Sequence, residues 1–309
     1  MAALNADRAQ LRDSLLAALA FFDLFDYPLT LSEIRRYRYG PAGEDVSVAE
    51  LAAAVDPAAV EEREGYFFLK GRAEIVGTRQ RRYRLAERKF LKARRFAAWA
   101  RLLPSVRLVA VCNSLALSNA DTGSDIDLFI VCRPGTLWAT RLILAGALQL
   151  LGLRPRPGRE ADTFCLSFFL SEEKLDASGL ALPGGDVYLL YWIAALVPVY
   201  DAGGVLEAFV SANGWVRQRL PGFAARETGR RRRSPGVAAN SWFLAPLRLF
   251  DAPAAKFQQR RFPAEIRSLA NVDSRVVVSA DILKLHVIDR RARFQELFEK
   301  KLAGLGIVI

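Results

Sequence analysis

Two aspartates one residue apart head an apolar run, Asp125-Ile126-Asp127-Leu128-Phe129-Ile130-Val131-Cys132. On a strand alternate side chains share a face, so both carboxylates point to one side while Ile126 and Leu128 point into the core. Carboxylates this close repel each other unless a cation sits between them. A hard divalent ion such as Mg2+ takes oxygen ligands and keeps room for substrate phosphates, so the pair suits phosphoryl chemistry. A second β-rich run, residues 106–112, precedes the pair and ends at Asn113-Ser114, and ten residues then lead from Ser114 to Asp125.

In order, spacing and flanking strands, this stretch resembles the nucleotidyltransferase motif of the DNA polymerase beta-like superfamily. That motif is a turn ending in serine followed by an Asp-hydrophobic-Asp strand. The region concerned, residues 106–170, is about a fifth of the chain. The resemblance implies that Asp125 and Asp127 are catalytic and hold Mg2+ or Mn2+, and that Asn113, Ser114 and Ser124 lie against the phosphates of a nucleoside triphosphate, with ATP the expected one. The implied reaction moves a nucleoside monophosphate to an acceptor that is a small molecule, a protein or RNA.

The sequence departs from the motif at three points. Asn113 stands at the motif glycine, and Ser118 stands where related sequences often carry another glycine. Asparagine tolerates a left-handed backbone better than most residues, so the turn can form, although its side chain fills space beside the phosphates. The third carboxylate, normally on a later strand beside the pair, has no counterpart. Residues 163–170 are the candidate strand and offer Cys165 and Ser167 on one face; Asp162, Asp121 and Glu172 are the nearest substitutes. A second reading follows, in which the fold serves as a binding module for a nucleotide, nucleic acid or partner without transfer.

The positioning elements begin with a helix whose Leu15, Leu16, Leu19 and Phe22 recur at helical steps. Capping boxes at Thr30/Glu33 and Ser47/Glu50 announce two more helices, and residues 61–71 read as a hairpin with a glycine turn. Three helices and a hairpin suggest a winged-helix-like domain over residues 1–77. Its third helix, residues 47–56, has no Lys or Arg and carries Glu50 and Asp56, which argues against duplex DNA binding. Residues 78–104 read as a basic connecting helix, 105–183 as the nucleotidyltransferase core and 184–309 as a helical C-terminal domain. Within that last part, 186–202, 205–216 and 240–250 are expected helices, and 276–287 should pass from a β-rich stretch into a helix with His286 near Asp289. Arg133 and Arg141 are within reach of phosphates but read more readily as surface charges, residues 153–160 read as a basic loop, and Arg230–Arg233 reads as an exposed loop, with contact to phosphates or anionic lipid as its alternative. The expected class is α+β: a small mixed β-sheet core with covering helices between the N-terminal module and the helical C-terminal region.

Composition bounds these readings. With 52% hydrophobic and 25% charged residues in 309, the chain is too apolar for disorder and long enough for two or three domains. The uncharged apolar stretches 142–153 and 187–200 fall short of the ~20 residues that span a bilayer. With no secretory signal evident at the N-terminus, a cytoplasmic location is expected. Cys112, Cys132 and Cys165 lie in apolar runs and read as reduced core thiols. The net charge of +11 divides among residues 79–101, 154–159 and 230–233, away from the acidic third helix.

Overall fold

The computed structural model describes residues 2–43, 45–226 and 244–307. Eleven α-helices, a six-stranded mixed sheet and a two-stranded sheet make an α+β fold among these residues.

Helix α1 (Ala2–Asp23) buries Leu15, Leu16, Leu19 and Phe22 as their spacing requires. Both capping boxes form. Thr30 Oγ1 accepts from Glu33 N at 3.3 Å while the Glu33 carboxylate accepts from Thr30 N at 2.9 Å. Ser47 and Glu50 repeat the exchange at 3.2 and 2.8 Å. These caps start α2 (Leu31–Tyr37) and α3 (Val48–Ala54). Strands β1 (Val60–Arg63) and β2 (Tyr66–Leu69) form the hairpin, and Leu29 pairs with Phe67 beside it.

Helix α4 (Glu74–Ala100) then crosses to the main sheet, and its basic residues divide in two. Arg79 is buried, bonds Glu33 at 2.7 Å and stacks over the rings of Tyr27 and Tyr66. Arg81, Arg84, Arg88 and Arg95 remain on the outer face.

The sheet is built from β3 (Val106–Val111), β4 (Ile126–Cys132), β5 (Phe164–Ser171), β6 (Val197–Asp201), β7 (Val276–Val278) and β8 (Ile282–Leu285), in the order β6-β3-β4-β5-β8-β7. Only β4 and β5 run parallel. Between β3 and β4 lies the one-turn α5 (Asn113–Ala116), and between β4 and β5 lies α6 (Leu137–Leu150). One sheet face, with Leu108, Ala110, Phe129, Val131 and Phe168, packs on α1 and on α7 (Val187–Ala195). The opposite face, with Val109, Val111, Ile126, Leu128 and Ile130, packs on α4 and α6. Alternation along each strand accounts for the two cores. Among the described residues no helix is long and apolar enough to cross a membrane.

The expectation of a helical C-terminal domain is corrected. Residues 197–201, 276–278 and 282–285 are strands of the same sheet that carries the aspartates. Residues 187–200 are apolar throughout, so periodicity could not separate the helix from the buried strand that follows it. The stretch 276–287 forms a short hairpin and contains no helix. The region does supply helices α8 (Val205–Ala212), α9 (Leu244–Arg260), α10 (Ala264–Leu269) and α11 (Arg291–Gly304). The Arg230–Arg233 run and residues 240–243 lie outside the described residues.

The N-terminal module is seated on this body through close contacts. Phe21 stacks on Tyr191 with centroids 4.0 Å apart, and Tyr191 OH donates to Tyr37 O at 2.9 Å. Gly222 meets the turn after α2, where any Cβ would collide with the carbonyls of Arg35 and Arg36. Only glycine allows that approach.

Candidate active site

Asp125 and Asp127 flank buried Ile126 at the start of β4, with both carboxylates on the face that the strand period predicts. In the parallel ladder Asp127 lies opposite Cys165. Ligand atoms of Asp125, Asp127 and Cys165 all fall within 4.8 Å of one another. The next β4 pair is Phe129 with Phe168, so β5 carries one extra residue there, just after Cys165. Cys165 Sγ and Ser167 Oγ are 3.3 Å apart, and Ser167 Oγ lies 2.8 Å from His286 Nε2. His286 is therefore satisfied by Ser167 rather than by Asp289.

Electrostatics at the pair follow from burial and like charge. Burial first, then repulsion from Asp127, pushes the Asp125 carboxyl up to about 6. Burial also raises Asp127, partly offset by hydrogen bonds from the Asn113 amide and the Cys165 thiol. Burial and the adjacent aspartate push the Cys165 thiol up to about 12, so it stays protonated at neutral pH. Burial lowers His286 to about 4 and keeps the ring neutral.

These shifts carry a stability sign. Because the folded Asp125 carboxyl is raised, ionising it costs the metal-free protein stability above about pH 6. That cost shrinks as pH falls through 6 and is gone below the ordinary carboxylate range. A cation bound by the pair must displace the same proton. Mn2+ affinity, followed by calorimetry, is expected to hold steady above pH 7 and to fall up to about tenfold per unit below 6.

Asn113 and Ser114 open α5 directly after β3. Asn113 has φ 53° and Ser118 φ 56°, so both positions where the resemblance expects glycine adopt the left-handed backbone. The Asn113 side chain does more than fill the glycine's space. Its amide donates to Asp127 while its oxygen accepts from Tyr188 OH at 3.4 Å. Asn113, Tyr188 and Trp192 line two cavities. One, about 320 Å3, also takes in Lys284 and His286, and the other, about 230 Å3, Ser114 and Asn119.

The loop between Ser114 and Asp125 is anchored at its middle. Asn119 N donates to Ser114 O at 2.8 Å, and the Asn119 amide donates to Phe25 O at 2.9 Å. Arg82 of α4 donates to Phe25 O at 3.0 Å and to Asn119 Oδ1 at 3.2 Å.

Ser124 is next to Asp125, and its hydroxyl donates to Asp121 Oδ1 at 3.0 Å within a turn. The three substitute acids are engaged elsewhere. Asp162 pairs with Lys89 and Lys92, both at 3.0 Å; burial pushes its carboxyl up, and the lysines outweigh that and hold it below the usual range. Asp121 serves the turn, and Glu172 pairs with Arg107 at 2.7 Å toward the other end of β5. Among the described residues no third carboxylate joins the pair.

Lys89, Tyr188 and His286 were not read from sequence as parts of this site. A signal existed for Lys89: it falls on the buried stripe of α4 with Ala86, Phe90, Ala93 and Phe96, where a lysine needs a partner. Its ammonium donates to Ser124 O at 2.7 Å and so fixes the residue before Asp125.

Comparison of the chain with protein-family models, with curated proteins and with solved structures finds no match.

Proposed function

We propose that the protein is a divalent-metal-dependent nucleotidyltransferase that moves a nucleoside monophosphate from a triphosphate to an acceptor. The observation that carries this reading is the convergent, partly desolvated carboxylate pair of Asp125 and Asp127 beside the left-handed Asn113-Ser114 turn. The three-helix module with its hairpin and Leu29 bridge supports a winged-helix-like reading of the N-terminus, and the β4–β5 pairing supports a polymerase beta-like core.

The donor set fits Mg2+ or Mn2+. Two carboxylates with coordination positions left for phosphate oxygens are what these ions use, and like charges held this close gain most from a cation. Cys165 lies beside the two carboxylates, but a soft thiol is not the donor that hard Mg2+ or Mn2+ selects. When bound, the ion supplies charge neutralisation for the triphosphate and the departing pyrophosphate.

The chain's own groups bind and orient. Asn113 holds Asp127 and is itself held by Tyr188, Lys89 holds the backbone before Asp125, and Ser114 lines the smaller cavity. Among the described residues no third carboxylate lies within ligand distance of the pair, so the acceptor that fits best is one whose attacking atom is already nucleophilic at neutral pH. Catalysis then rests on proximity and preorganised charge.

Calorimetry with ATP, with and without Mg2+, tests the reading together with an assay for released pyrophosphate. Mg2+-dependent binding with pyrophosphate release is expected; ATP heats indifferent to Mg2+ would sink it. The protonated Cys165 in place of an acid favours one second reading, a nucleotide-binding module without transfer. Its signature is Mg2+-dependent ATP binding with no pyrophosphate released across an acceptor panel.

A further inference from the structure

Behind β5 lies a cavity of about 450 Å3 whose lining includes Arg141, Arg154, Arg261, Cys165, Ser167 and Phe262. Three guanidinium groups contribute to it, and among the described residues no Asp or Glu does. Arg141, expected on sequence to be a surface charge, is buried in α6. One of its nitrogens donates to Gln258 Oε1 at 2.6 Å, and Gln258 is itself fixed by donating to Trp138 O at 2.9 Å. Arg141 Nε and one terminal nitrogen of Arg154 are buried without any hydrogen-bond partner. Arg261 lies over the Phe257 ring, 4.3 Å from its centroid.

Arginines are rarely buried unpaired, because the desolvation cost is offset only by an anion with matching acceptors. Burial, and then mutual repulsion, lowers Arg141 to about 10, and burial lowers Arg154 as well. An anion with matching acceptors would stabilise both charged groups. The guanidinium fork matches the oxygens of a phosphate group, and the cavity's volume and its ring and aliphatic walls leave room for an organic body attached to it.

We propose that this cavity binds the phosphate group of a small organic phosphate, held by Arg141 and Arg154. Cys165 lines this cavity and also lies within 4.8 Å of the aspartate carboxylates, while the aspartates themselves sit on the sheet face opposite α6 and do not line it. The phosphate site stands independently of the nucleotidyltransferase reading.

Titration of the full chain with inorganic phosphate in EDTA, without nucleotide, is the test. The wild-type protein is expected to bind phosphate and to melt at a higher temperature in its presence. Arg154→Gln, on the loop before β5, should weaken phosphate binding at least tenfold, and Arg154→Lys should weaken it less. Arg141→Gln should abolish it; if that variant fails to fold, Arg154→Gln alone decides. Absence of phosphate binding in the wild-type protein, or unchanged affinity in Arg154→Gln, overturns the site. Acetate binding as tightly as phosphate overturns the phosphate assignment. Asp127→Asn should leave phosphate binding intact while losing the Mg2+-dependent ATP heat, so the two readings fail separately.

Discussion

Asp127→Asn is expected to abolish Mg2+-dependent nucleotide binding and to lower pyrophosphate release by about 100-fold or more, the scale on which loss of one preorganised charge contact acts. The substitution is close to isosteric. An asparagine oxygen still accepts from the Asn113 amide and the Cys165 thiol, the two bonds that hold the native carboxylate. What disappears is the negative charge that makes the pair a cation site. The same change should make the metal-free protein more heat-stable at neutral pH, because it removes the repulsion that, after burial, raises Asp125. Thermal melting in EDTA checks the stability arm. A variant that keeps the Mg2+-dependent ATP heat would show that the carboxylate pair does not hold the metal, and the assignment would fall.

Arg291→Met should destabilise the fold by about 3–5 kcal/mol, the cost of leaving buried carboxylates without their cation. Arg291 is buried at the start of α11 and donates to Asp186 at 2.7 Å, to Asp289 at 2.7 Å, to Leu180 O at 2.7 Å and to Ser274 at 2.8 Å. Asp186 is also the cap of α7, accepting from Leu189 N at 2.9 Å, and burial alone pushes its carboxyl up. Burial acts on Asp289 in the same direction, but Arg291 outweighs it and holds that carboxyl below the usual range. Removing the guanidinium therefore weakens the cap of the helix that bears Tyr188 and Tyr191. Chemical denaturation gives the size of the effect. Arg291→Lys, which keeps the charge but loses the fork, should cost less.

The sequence carried the local features well. The Asp-x-Asp strand, the turn before it, both capping boxes and the partner strand with Cys165 and no acid are all short-range patterns that periodicity and spacing encode. Features that depend on distant partners were hidden. Asp162 resembled a spare acid because its lysines lie on a helix more than sixty residues earlier. Arg141 resembled a surface charge because its burial comes from α9, and Gln258 is 117 residues away. Strands β7 and β8 have three and four residues, too few to show alternation against the helix expected there. Strand β6 follows α7 without a polar break, so the end of one element and the start of the next share a single apolar run.

The strand order also sets a schedule for synthesis. β5 pairs on its outer side with β8, so Phe168 waits for Lys284, made over a hundred residues later. Until then its outer edge is a bare row of N–H and C=O groups beside Phe168, Phe169 and Leu170, the composition from which chains recruit one another into aggregates. The closing hairpin of β7 and β8 ends that exposure with a strand of three residues, too short to template another chain. A chain cut before residue 276 is therefore expected to keep both aspartates and to aggregate, which light scattering on the truncated protein would check.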